Sequence, residues 1–243
     1  MVHKLAIVAV IGLSASAVCM GAAAAIGGQE FGKGFDGVDL SMFGDRPRCE
    51  RIESASATSR ELEWDDSDRV SLSVGGHATY KPGTDNKVHA SGDPQALAHL
   101  RIRDGKIEMD CNGGHLSHDL EITLPGRDFK KFSIAGSGNL VLQNLNQERV
   151  KLSIAGSGNI KADGKVEHAE IHIAGSGDVD TVHVESRVTE VHIAGSGNTD
   201  IAPTEEADIH VAGSGDVNLH TNPKKLETHI AGSGRIHNVG AGG

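Results

Sequence analysis

The stretch EIHIAGSGD (170–178) decides how the chain is read. Ile171 and Ile173 alternate with His172, the pattern of a short strand with one buried face, and the strand runs into a Gly-Ser-Gly corner followed by a carboxylate. Taken alone it reads like a binding loop. Its siblings change that reading. The tetrapeptide AGSG begins at Ala135, Ala155, Ala174, Ala194, Ala212 and Ala231, at intervals of 20, 19, 20, 18 and 19 residues. A period in this range marks a repeat architecture, in which each unit buries its apolar side only against its neighbours.

Aligned, the copies are KFSIAGSGN, KLSIAGSGN, EIHIAGSGD, EVHIAGSGN, DIHVAGSGD and ETHIAGSGR. Each has a two-residue apolar alternation before the corner and another after it, as in Leu140 and Leu142, Val179 and Thr181, or Val217 and Leu219. Glycine, Asx and β-branched residues recur where a helical repeat needs continuous helix formers. The fold class expected is therefore all-β: a parallel β-helix, or solenoid, of about 19-residue repeats over residues 133–239. An antiparallel barrel would need turn signals at each reversal, whereas every repeat has one corner at one phase.

Repetition also weighs the motif as a site. Calcium-binding β-rolls use a nine-residue glycine-aspartate repeat. Here the post-corner position is Asn139, Asn159, Asp178, Asn198, Asp216 and Arg235, too few carboxylates for a calcium stack. Phosphate cradling needs a following helix N-terminus or a lysine, and these loops lead into strands. A catalytic serine is one residue in one activated setting, while Ser137, Ser157, Ser176, Ser196, Ser214 and Ser233 are six equivalent ones. Gly for its backbone angles, Ser hydroxyls for the corner's backbone groups and Asn side chains bonding from rung to rung make a structural account. In the Asx column no two carboxylates are adjacent, and Asp216 falls beside Arg235.

The histidines are not explained by the corner. His172, His192, His210 and His229 occupy one column after Ser133 and Ser153, opposite the apolar face, so they are expected to face solvent. Closely spaced neutral imidazoles bind zinc or nickel, but no carboxylates are evident in the sequence to orient them. They stand as weak metal candidates against a solvated strand face. Charged neighbours are expected to depress their pKa values, so that acid destabilises the solenoid below about pH 6.5.

Residues 45–132 lack the period and read as irregular coils with a cap, continuous with the solenoid. Val70, Leu72 and Val74 alternate, as do Leu120, Ile122 and Leu124; Asp104-Gly105 marks a hairpin; Asp93 and Pro94 are an N-cap and first turn for a helix through Leu100. Asp65, Asp66 and Asp68 beside Trp64 read as a solvated surface.

The ordered segments DRVSLSVGGHATYKPG (68–83), ALAHLRIRDGKIEM (96–109) and DLEITLPGRDFKKFSIAGSGNL (119–140), followed by the AGSG coils, resemble the bacterial GIN-domain family, DUF2807, the autotransporter-adhesin head domains. The resemblance spans residues 35–239 and is most specific at the LP segment followed by the first IAGSGN. It implies a β-helical fold in an exported bacterial protein, and it brings no catalytic residues.

The N-terminus fits export. Lys4, an apolar run over residues 5–18 and the small residues Ala22 to Ala25 form the layout of a signal peptide over residues 1–25, with a glycine-rich flexible linker over 26–44. Cys19 raises a lipoprotein alternative, but Val18 is bulky for such a signal. Cleavage leaves Cys49 and Cys111, the disulfide candidate in an oxidising compartment, with no zinc or redox spacing. No other segment is long enough to span a membrane, so no span is expected after cleavage. The net charge of −10 disfavours nucleic acid and anionic lipid.

Function is read as a noncatalytic exported scaffold, adhesin-head-like, in the periplasm or at the cell surface, with an envelope protein partner, no cofactor, and end-to-end homo-oligomerisation at a poorly capped C-terminal coil. The alternatives are a polysaccharide-active β-helix enzyme or metal binding by the histidine column. Residues 133–243 contain no Phe, Tyr or Trp for sugars to stack on, and no non-repeating carboxylate pair of the glycosidase kind.

Overall fold

A computed structural model describes residues 47–112 and 119–240. The leader expected over 1–25, which includes Cys19, and the linker over 26–44 lie outside the described residues. The N-terminal strands are β1 (Ser59–Glu63), β2 (Arg69–Leu72), β3 (His77–Tyr80) and β4 (Lys87–Ser91). Helix α1 (Pro94–His99) precedes β5 (Leu100–Arg103), β6 (Lys106–Met109) and β7 (Glu121–Thr123). The coils follow as β8 (Lys131–Gly136), β9 (Asn139–Gly156), β10 (Asn159–Gly175), β11 (Asp178–Gly195), β12 (Thr199–Ile201), β13 (Pro203–Gly213), β14 (Val217–Leu219), β15 (Lys225–Gly232) and β16 (Ile236–Asn238).

The fold is a β-solenoid of about 6 turns. Pre-corner segments stack in parallel along β2, β8, β9, β10, β11, β13 and β15. Post-corner segments stack along β3, β9, β10, β11, β12, β14 and β16. The two short strands per repeat expected from the alternation are joined in β9 to β11 into strands of 17 or 18 residues that wrap most of a coil. The bend is made by a register shift, as between Ala162 and Gly164, where the wrapped strand accommodates an extra residue.

Inside the coils the alternation becomes a column. Phe132, Leu152, Ile171, Val191 and Ile209 are wholly buried, and so are Ile134, Ile154, Ile173 and Ile193 one step along. Each such side chain contributes about 1.5–3 kcal/mol by leaving water. That burial needs a coil on both sides: Val211 is 2% exposed, whereas Ile230, its register partner on the last coil, is 44% exposed.

The N-terminal region pairs directly onto this stack. Arg69 to Leu72 lie in register with Lys131 to Ile134, and His77 to Tyr80 with Asn139 to Leu142, so VSLSVGGH forms one more coil with a degenerate corner. Beyond it the chain turns antiparallel. β5 and β6 form the hairpin at Asp104-Gly105, whose positive φ values of 51° and 75° suit a tight two-residue turn. Asp65, one of the acidic run read as solvated, accepts the Gly105 amide at 2.8 Å and so pins this turn. β4 lies antiparallel between β1 and β7. Asp93 caps α1 by accepting the Gln95 and Ala96 amides. Trp64, Tyr80, Phe129 and Phe132 interlock here, with ring centroids 5.1 to 5.8 Å apart. The buried Tyr80 hydroxyl donates to the Arg127 carbonyl oxygen at 2.8 Å, and burial pushes its pKa up to about 12. No helix among the described residues is long and apolar enough to cross a membrane.

Candidate functional site

The corners are built by backbone, not by hydroxyls. The first glycine of each AGSG has φ between 119° and 139°, a region closed to L side chains. At the second glycine from Gly158 onward a Cβ would run into the carbonyl oxygen of the glycine one coil below, as Gly177 onto Gly158. The serine between them donates its backbone N–H to the preceding coil: Ser157 to Gly136 at 2.8 Å, Ser176 to Gly156 at 2.9 Å, Ser196 to Gly175 at 2.8 Å. All six serines are exposed. The expectation that their hydroxyls satisfy the corner is corrected: the main chain does this, and serine is a small residue that tolerates the outer position.

The Asx column is a ladder. Asn159 Nδ2 donates to Asn139 Oδ1 at 2.9 Å, and Asn198 donates both its backbone N–H and its Nδ2 to Asp178 Oδ1, at 2.9 and 3.1 Å. Asp216 N–H donates to Asn198 Oδ1 at 3.1 Å. Arg235 closes the series with its N–H on Asp216 Oδ1 at 2.9 Å and its guanidinium on Oδ2 at 3.0 Å, which holds the Asp216 carboxyl below its ordinary range. An Asx oxygen thus satisfies an amide on the next coil. His77 takes the first rung, its Nδ1 3.5 Å from Asn139 Nδ2. Alongside runs a shallow open groove, lined by Asn139, Asn159, Asp178, Lys161, Asp180 and Asp200 among others, with Lys161 and Asp180 paired at 3.0 Å.

The histidines do form a column, with ring centroids 4.8, 5.0 and 4.8 Å apart from His172 to His229 and planes within 10° of parallel. They do not all face solvent. His172 is 1% exposed, His192 is half-buried, the His210 side chain is 35% exposed, and of the four only His229 at the open end is exposed. The column continues below them as Ser153, Ser133 and Ser71, of which Ser153 and Ser71 are buried. The alternation fixed which side of the strand carries the histidines but not how far that side is covered. Burial above all, and then His172 and His210, lowers the His192 pKa to about 4. Charged neighbours, the cause expected from sequence, rank second.

The carboxylates that sequence reading found missing are two residues before the histidines, on the same strand face. Glu170 Oε1 lies 2.6 Å from His172 Nε2, and Asp208 Oδ1 lies 3.0 Å from His210 Nε2. The hydrogen bond from His172, outweighing burial, and that from Lys151 at 2.8 Å hold Glu170 at about 2. The signal was present in sequence as the E/D-x-H spacing. Asp208, His210 and His229 each bring one ligand-type atom within 4.8 Å of the others, the part of the column best able to take a cation. Rings stacked one coil apart must swing together for that, since a metal holds each histidine nitrogen at about 2.0–2.1 Å.

Cys49 and Cys111 are joined, with Cα atoms 5.0 Å apart, across 62 residues of sequence. His99 sits beside them, bonded to Asp110 Oδ1 and the Glu50 carbonyl oxygen, both at 2.9 Å. With both sulfurs in the bridge, this cluster offers no thiolate to a metal.

A family model described as "Putative auto-transporter adhesin, head GIN domain" matches residues 95–223, more than half of the chain. Among solved structures, one titled a putative adhesin from Bacteroides fragilis superposes with a TM-score of 0.60 at 16% identity, covering 74% of this chain and 96% of that one. A structure titled a putative lipid binding protein from Parabacteroides distasonis gives 0.46 at 18% identity, with 74% and 96% covered. A putative adhesin from Parabacteroides merdae gives 0.45 at 13%, with 74% and 95% covered. The first of these likenesses is one of fold. No curated protein sequence matches the chain.

Proposed function

The chain belongs to the GIN-domain family of auto-transporter adhesin heads, and on that premise we propose that it is a noncatalytic, exported interaction scaffold that meets a protein partner in the cell envelope. The observation that carries this reading is the Asx ladder. Its polar groups bond from coil to coil, so the outer face over Asn139 to Asp216 is a stiff polar surface that lacks the enclosed apolar pocket of a small-substrate site and leaves an extended face for a protein partner. The six exposed corner serines speak against nucleophilic catalysis. They are equivalent by position, and an activated serine needs its own base. The signal-peptide layout of residues 1–25 supports export, and the adhesin descriptions of the family and of the B. fragilis structure accord with a surface or periplasmic role.

Photo-crosslinking tests the reading. A photoreactive residue replacing Asp180 or Asp200, both on the groove, should capture an envelope protein in intact cells, and fractionation should place the chain outside the cytoplasm with residues 1–25 removed. A chain retained in the cytoplasm with its leader, or groove positions that capture nothing, would overturn it.

A further inference from the structure

The core is open at its last coil. β15 pairs with β13 on one side and with no strand on the other among the described residues. The exposed large apolar side chains of the described residues, Leu226, Ile230 and Val239, all belong to this coil. The opposite end is finished differently: β6 is closed by β5 and β7 by β4 and β1, short antiparallel strands carrying Arg101, Arg103, Glu61 and Glu63, which blunt an edge. That end, finished by short charged antiparallel strands, is a poor acceptor for the open edge, which disfavours a head-to-tail chain of copies.

The open edge is self-complementary. Lys151 donates its N–H back to the Lys130 carbonyl, and register carries that position through Glu170, Glu190 and Asp208 to Glu227. The Glu227 amide therefore faces β13, and by alternation the N–H and C=O groups of Leu226, Thr228 and Ile230 face the open edge. These three side chains continue the buried positions Ala207, Ile209 and Val211, while Glu227 and His229 lie on the outer face. We propose that this edge is a homodimerisation surface, in which β15 of two copies pairs antiparallel about a twofold axis through Thr228 and joins two cores end to end.

That register is selected by the side chains. About Thr228, Leu226 meets Ile230 of the second copy on the inner face, and Glu227 meets His229 of the second copy on the outer face. The Leu226 to Ile230 and Thr228 to Thr228 pairs are hydrogen-bonded, and Glu227 and His229 fall in the closer non-hydrogen-bonded pair, where a carboxylate can accept from an imidazole N–H. Shifting the axis to Glu227 or His229 sets two carboxylates or two imidazoles face to face.

The test is sedimentation of the full chain over a concentration series, with disulfide trapping in a Cys19→Ser background. A dimer is expected. Thr228→Cys should form an intermolecular disulfide on oxidation, since hydrogen-bonded antiparallel partners stand about 5.5 Å apart at Cα, within disulfide reach. Glu227→Cys, whose partner position is 229, should link at least about tenfold more slowly by the same geometry. Glu227→Lys should raise the dissociation constant about tenfold through its two symmetry-related pairs, and Glu227→Lys with His229→Glu should restore it. A monomer at every concentration, a concentration-dependent polymer, or a dimer indifferent to the charge reversal overturns the proposal. The surface charge variants decide the matter if Thr228→Cys does not fold, and circular dichroism checks that they do.

Discussion

His172 and His192 stack face to face across adjacent coils, ring centroids 4.8 Å apart and planes 8° from parallel. Burial above all resists a proton on His192, and the rings of His172 and His210 stacked on either side add to the cost. In the folded chain His192 stays neutral down to about pH 4, whereas in the unfolded chain it titrates at 6.5. The unfolded state therefore binds more protons in that window, and stability falls as pH drops from 6.5 to 4. His192→Gln should flatten the melting-temperature profile there, removing a loss on the order of 2 kcal/mol after allowance for partial exposure. An unchanged slope would assign the acid sensitivity elsewhere.

Glu170 acts in a lower window and with the same direction. Its folded value of about 2 lies below the ordinary 4.5, so its contribution is complete above 4.5 and disappears as pH falls toward 2. Glu170→Gln should lower stability at neutral pH and remove slope below pH 4.5, leaving the 6.5 to 4 limb attributed to His192. Denaturant titrations at pH 7, 5 and 3 separate the two groups.

Strain and collision at the corner can be measured apart. Gly136 has φ 119° with nothing within 4 Å of an added Cβ, so Gly136→Ala should cost about 1–3 kcal/mol from backbone strain. Gly156 has φ 134° and also packs onto the Gly136 carbonyl, so Gly156→Ala should cost more, about 3–5 kcal/mol. Equal costs in urea unfolding would show that the close approach relaxes freely.

Within one corner, Ser176 and Asp178 should respond differently. The Ser176 side chain is exposed and its backbone N–H carries the contact to Gly156, so Ser176→Ala should stay within about 0.5 kcal/mol of the parent. Asp178 Oδ1 accepts two bonds from Asn198, and Asp178→Ala should cost about 1–2 kcal/mol by the same unfolding measurement.

The Cys49 to Cys111 bridge closes a long loop, and in the chain-entropy account its reduction should cost about 4 kcal/mol. The loop holds the closing strands β1, β4, β5 and β6, so reductant should expose amides of this end to hydrogen exchange before those of β10 and β11. Alkylation of the unfolded chain without reductant should leave Cys49 and Cys111 unmodified; two reactive thiols there would contradict the bridge.

The solenoid was legible because six copies of AGSG force one geometry, and Ile171 with Ile173 gave its inner face directly. What the sequence withheld has physical reasons. Register partner Ser71 to Ser133 makes VSLSVGGH a coil, but Val74 and Gly75 replace the glycine and serine of the motif, so the corner is invisible to pattern. Alternation assigned His172 to the outer side, yet exposure there depends on what lies above the strand, which period-2 spacing does not encode. Glu170 beside His172 was visible as spacing, and its meaning emerged only once both side chains were known to share a face at 2.6 Å.

The aromatic cluster has a practical consequence for anyone following this molecule with light. Its single tryptophan, Trp64, packs edge-on against Phe129 at 5.2 Å in the N-terminal region, and residues 133–243 hold no aromatic chromophore of the Phe, Tyr or Trp kind. Intrinsic fluorescence is thus an observer posted at one end: loosening of the coils around His210 and Ile230 leaves it silent, and a transition recorded at Trp64 dates only the opening of the N-terminal region.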